Sequence, residues 1–180
     1  MAPIRTTRLI VIATAMCLGL AASAPARAGV WLEASAAFLQ LQDDSGSTNL
    51  TASHWLGQGT VGYRFPQGFL LAGQGISSRS TSDANRGVTA WGPKGGFFLK
   101  GIELTAGYLA QATEDVDGVH RTGGGFSVNL GYHYDLAKWL SVGLNCTYIQ
   151  LRFTDQDGVP LTVKPGFTAF APALSLGIQI

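Results

Sequence analysis

Charge is scarce in this chain. Asp, Glu, Lys and Arg make up 13% of its 180 residues, against about 25% in an ordinary soluble domain, so much of the surface is not built to face water. With 46% of residues apolar, a disordered chain is excluded, and so is a coiled coil, which needs charged flanking positions. No block of Lys or Arg occurs, and the electrostatic footprint of a nucleic-acid partner is missing with it. Cysteine is nearly absent, with Cys17 and Cys146 alone. What the chain has in quantity is glycine, 24 residues, over a length that suits one domain.

Arg5 and Arg8 precede an apolar run from Leu9 to Ala24, and Ala26-Arg27-Ala28 puts small residues at the two positions that a signal peptidase reads. The pattern predicts a secretory signal peptide over 1–28, cut before Gly29, and an exported domain over 29–180. The run is short for the ~20 residues of a spanning helix. Met16 stands before Cys17 where lipoprotein processing wants a small residue. Cys146 is then the only cysteine of the exported domain, which forms no internal disulfide, and losing Arg5, Arg8 and Arg27 takes the formal charge from +1 to −2.

Beyond the leader the hydrophobic period is two. Trp55, Gly57, Gly59, Val61, Tyr63 and Phe65 alternate with His54, Leu56, Gln58, Thr60, Gly62 and Arg64, as a strand with unlike faces requires. The same alternation runs from Ile102 to Thr113, with Ala112 on the apolar parity, and recurs over Phe126–Tyr134, Leu140–Tyr148 and Phe170–Ile180. Weaker strands are expected at Val30–Gln42, Phe69–Arg79 and Val88–Leu99, the last kinked or bulged at Pro93-Lys94-Gly95-Gly96. That makes eight. Tight connections at 66–68, 100–101 and 135–138 alternate with longer polar ones at 43–52, 80–87, 114–124 and 154–167, the arrangement of an eight-stranded antiparallel up-and-down transmembrane β-barrel.

Alternation alone leaves open a water-soluble barrel of the lipocalin kind. Composition favours the membrane: the polar parity carries Ser, Thr, Gly, Asn and Gln, which suit the crowded lumen of eight strands, and aromatic residues gather towards both strand ends. On signal peptide, strand count and loop alternation, residues 29 to 180 resemble the small outer-membrane barrels of Gram-negative bacteria, the OmpA-transmembrane, OmpX and OmpW-like group. That resemblance implies a bacterial outer-membrane location, with lipids including lipopolysaccharide and the barrel assembly machinery as partners. Chains of that group usually finish on an aromatic residue, and this one finishes on Ile180.

Four sets of residues are candidates for chemistry or ligand contact. His54, with Ser78 and Ser80 across the outer rim, raises a serine-histidine hydrolase or acyltransferase acting on lipid A, as some barrels of this kind do. The chain lacks the His-x-Ser pattern of the deacylases, since Tyr134 and Asp135 follow His133, and it carries Ser82-Asp83 where the palmitoyltransferases have Asp-Ser. Asp115 and Asp117, and again Asp155 and Asp157, stand in D-x-D-G patterns that resemble the start of a calcium loop but have no completing acid; Asp-Gly is also turn chemistry. Arg79, Arg86, Arg121, Arg152 and Lys164 lie in or beside the long loops, either to meet lipopolysaccharide phosphates or as part of a rim of mixed charge in water. Finally Glu33, Arg64 and Glu103 fall in one layer near the short-turn end, where Arg64 is expected to pair with one or both acids. The reading is a non-enzymatic envelope protein, structural or interactive, with no cofactor and no large pore. The alternatives are the lipid A-modifying enzyme and a narrow transporter of small apolar molecules.

Overall fold

The computed structural model describes residues 28–43, 50–81 and 86–180. The leader expected at 1–28 lies outside them save for Ala28, as do the centres of the first two long loops, and with them Ser82-Asp83. Among the described residues the chain is all-β, with strands β1 (Gly29–Asp43), β2 (Leu50–Arg64), β3 (Phe69–Ser80), β4 (Gly87–Leu99), β5 (Ile102–Val116), β6 (Val119–Ala137), β7 (Leu140–Gln156), β8 (Val159–Pro160) and β9 (Gly166–Gln179). Each strand from β1 to β7 pairs antiparallel with the next, and β9 pairs with both β7 and β1. Eight long strands thus close into a ring in which each has a neighbour on both sides. The two-residue β8 pairs only with the end of β7. At the seam Val30 and Ile180 exchange backbone hydrogen bonds of 2.8 and 3.0 Å.

Three hairpins share one turn. Lys100-Gly101, Asp117-Gly118 and Asp157-Gly158 each place two consecutive residues at positive φ, 51° followed by 81–85°, the type I′ geometry whose twist matches that of paired strands. This corrects the long loop expected at 114–124. The Asp117-Gly118 turn lets β5 and β6 continue as a ladder to Val116 and Val119, because Asp and Gly tolerate left-handed backbone more readily than most residues. Likewise 154–167 is the β7–β8 hairpin followed by a short link to β9.

The kink expected around Pro93 is a register shift: β4 advances from Trp91 to Lys94 while β5 passes from Gln111 to Gly107. A second shift, between Leu109 and Ala112, separates β5 from β6. Between them they reverse the parity of β5, so Tyr108, Ala110 and Gln111 face out, whereas Ala112 is fully buried inside rather than on the outer face. Simple alternation does not survive an extra residue.

The interior is layered. Towards the long loops it is apolar, with Leu56, Ile76, Leu109, Ile149, Leu151 and Phe153 packed among alanines. The middle is polar: Gln58, Thr60, Gln74, Thr105, Ser127, Asn129, Asn145 and Thr147 are all buried. Gln74 and Ser127 exchange side-chain hydrogen bonds of 2.9 and 3.1 Å between β3 and β6, and Thr147 on β7 donates to Asn129 and Gln58. Near the short turns Trp31, Leu70 and Phe98 form a second apolar cluster. Gly177 leaves room for the Trp31 indole, which a Cβ at that position would strike.

The exterior carries the larger apolar surface. Val61, Leu71, Leu104, Leu130, Leu144 and Leu174 are between 53% and 71% exposed. Aromatic rings meet at the short-turn end, where Tyr63, Phe65, Phe69 and Phe97 follow one another at centroid distances of 5.1 to 5.8 Å. At the other end Phe38 packs on Trp55, and Phe126 on Tyr148.

Candidate functional site

Four ionisable side chains from four strands meet inside the ring. Lys94 (β4) sets its Nζ 2.9 Å from Glu103 Oε1 (β5), and His133 Nε2 (β6) lies 3.1 Å from Glu103 Oε2 and 4.0 Å from Glu33 Oε1 (β1). None is more than 7% exposed. Neutral donors and acceptors complete the carboxylates, while His133 Nδ1 and Asn145 Oδ1 are buried without a partner. Thr105 Oγ1 donates to Glu103 Oε1 at 3.0 Å, Asn145 Nδ2 donates to Glu33 Oε1, Trp31 Nε1 donates to Glu33 Oε2 at 3.3 Å, and Lys94 also donates to Thr60 Oγ1 at 3.4 Å. Every carboxylate oxygen therefore has a donor, as buried charge requires. Glu33, Glu103 and His133 offer one ligand atom each within 4.8 Å of one another, a spacing that a metal ion could bridge, but Lys94 already supplies positive charge at Glu103.

Arg64 is not part of this cluster. By register Thr60 stands opposite Glu33, Gly62 opposite Trp31 and Arg64 opposite Gly29, so Trp31 occupies the layer between Arg64 and Glu33. Phe98, in edge contact with Trp31 at 4.9 Å and packed on His133 at 4.9 Å, takes the guanidinium against its ring at 4.1 Å. Arg64 donates instead to Phe98 O at 3.2 Å and Gln179 Oε1 at 3.4 Å. The pairing expected of Arg64 with Glu33 or Glu103 is thereby corrected: an apolar layer intervenes, and Lys94 and His133 take its place. Both replacements face inward; His133 shares its parity with Ser127 and Asn129, a signal present in the sequence, whereas Lys94 shares its own with Val88, Ala90 and Gly92.

At the opposite rim the structure brings His54 and Ser78 together, with Ser78 Oγ 3.3 Å from His54 Nδ1, and pairs His54 with Ser80 across β2 and β3. All three are buried, Ser78 to 1% exposure. On the same rim Glu114 lies between Arg121 at 3.1 Å and Arg86 at 3.9 Å, so two of the basic residues expected to face outside phosphates have an acid of their own. The aspartates serve the hairpins. Asp155 Oδ1 accepts from Gly158 N at 2.9 Å, Asp157 Oδ1 accepts from His120 N at 3.2 Å, Asp115 pairs with the His120 ring, and Asp117 occupies a turn position at φ 51°.

These features define a closed antiparallel ring with charge inside and apolar side chains outside. Comparison with protein-family models, with curated proteins and with solved structures gives no match.

Proposed function

We propose that the chain is an eight-stranded transmembrane β-barrel of the Gram-negative outer membrane, with a structural or interaction role at the envelope and a lumen filled by its own side chains. The observation that carries this reading is the distribution of side chains across the wall. On β2 the outward positions between Trp55 and Tyr63 are Gly57, Gly59 and Val61; on β6, between Phe126 and Tyr132, Val128 and Leu130; on β9, from Phe170, Pro172, Leu174 and Leu176. No outward residue in these stretches is charged, while Glu33, Lys94, Glu103 and His133 are turned inward. Water would penalise both halves of that arrangement, since a continuous apolar exterior of this extent marks a surface with an apolar partner and buried ions need the network described above. Hydrocarbon around the ring reverses the first penalty. Aromatic clusters near both strand ends suit two interfaces.

The test is extraction and gel mobility. Expressed from the full chain, the protein should be recovered in the outer-membrane fraction and run differently on a detergent gel before and after boiling, because a closed ladder resists detergent. Recovery from the soluble periplasm, with one mobility throughout, would favour the lipocalin-like alternative. The Ser78–His54 contact supports a second reading, a hydrolase or acyltransferase at the outer rim. Its test is mass spectrometry of lipid A from cells making the protein or its His54→Ala variant: an acyl pattern altered by the first alone would establish the enzyme.

A further inference from the structure

A cavity of about 470 Å³ opens at the short-turn end of the ring, a size suited to a small-molecule group. Arg64, Lys100 and Lys138 line it against a single acid, Asp135, and buried His133 and Ser141 form part of its wall. Two members are incomplete: His133 leaves its buried Nδ1 without a partner, and Arg64 is the cation short of acceptors. Its terminal nitrogens donate only to neutral oxygens, at 3.2 and 3.4 Å, its buried Nε–H has no acceptor, and Asp135 acts on it through charge without a hydrogen bond. A planar guanidinium with one face on an aromatic ring presents its edge to an oxyanion with two free oxygens. The cavity wall also includes Tyr132, Tyr134 and Trp139, each 55% to 62% exposed on the outer side. Cationic and outward aromatic walls thus meet in one opening.

We propose that this mouth binds the phosphate of an anionic lipid, the headgroup on Arg64 flanked by Lys100 and Lys138 and the acyl chains passing out over Tyr132 and Trp139. The headgroup site stands on the cavity and Arg64 alone; the acyl contact rests on the reading of the exterior as lipid-facing. Free phosphate shares the headgroup chemistry, so the two sources are separated by experiment.

The full chain, purified in a zwitterionic detergent, is unfolded with urea in the presence of inorganic phosphate, of monomeric short-chain phosphatidylglycerol, or of chloride at matched ionic strength. A ligand held only by the folded state raises the midpoint. Phosphatidylglycerol is expected to do so at concentrations at least tenfold below phosphate, with chloride inert, and Arg64→Gln is expected to abolish the response. Lys100→Asn, at an exposed turn position that favours Asn before Gly, keeps the fold and should weaken the response several-fold. Equal potency of phosphate and lipid would overturn the acyl contact while keeping the headgroup site. No response to either, or one retained in both variants, would overturn the site itself, and the fractionation and gel assays report on the membrane reading separately.

Discussion

Burying Glu33 and Glu103 in one layer requires positive charge within reach, and Lys94 supplies it at 2.9 Å from Glu103. Removing one partner of a buried pair leaves the other uncompensated, so Lys94→Met should destabilise the ring by about 3–5 kcal/mol. Combining it with Glu103→Gln should cost less than the sum of the single changes, as urea unfolding of the four proteins would read. Arg64→Gln, across the Trp31 and Phe98 layer, should add to Glu103→Gln within about 0.5 kcal/mol; coupling well beyond that would restore the pairing first expected. Glu33 and Glu103 were legible from the sequence as lumen charges. Lys94 was not, because the kink expected at Pro93-Lys94-Gly95-Gly96 left its facing open, and the residues that share its inward parity, Val88, Ala90 and Gly92, are not polar. His54 and Ser78 were legible as residues at one rim, at the ends of adjacent strands, but not as a contact, which depends on the register of β2 and β3.

At the level of the strand, the alternation of apolar and polar residues was sufficient to orient β2, β6, β7 and β9, which alternate without interruption over 54–64, 126–134, 140–148 and 170–177. It failed on β5, where one extra residue sends Ala112 inward, since a bulge has no signature in composition. The hairpins offer a test of turn chemistry. Gly101 and Gly158 both have φ near +84°, at 85° and 83°, but a Cβ at Gly101 would strike the His133 carbonyl oxygen, whereas nothing lies within 4 Å of one at Gly158. Gly158→Ala should therefore cost only the left-handed backbone penalty, about 1–2 kcal/mol, and Gly101→Ala clearly more, because the β5–β6 ladder must shift to admit the methyl. Equal midpoints for the two variants would mean that the Gly101 turn is looser than its contacts indicate.

For the molecule as a whole, eight strands leave a lumen just wide enough for side chains, and here the interior is occupied by an apolar layer, a polar layer with its ion cluster, and the Trp31–Phe98 layer in succession. Reconstituted in planar bilayers, the protein should show no porin-sized conductance; sustained large openings would mean that these layers separate. The proposal that the apolar exterior faces lipid can be tested without mutation at Cys146. This residue lies on the outward parity of β7 between Leu144 and Tyr148, opposite Pro172 and Leu130 on its neighbours, and is free and partly exposed. The protein folded into lipid vesicles is treated with a water-soluble, membrane-impermeant maleimide, and the Cys146 peptide is followed by mass. The expected result is no adduct until the chain is unfolded, because hydrocarbon covers the thiol. Rapid modification of Cys146 in the folded protein would place that face in water and contradict the membrane reading.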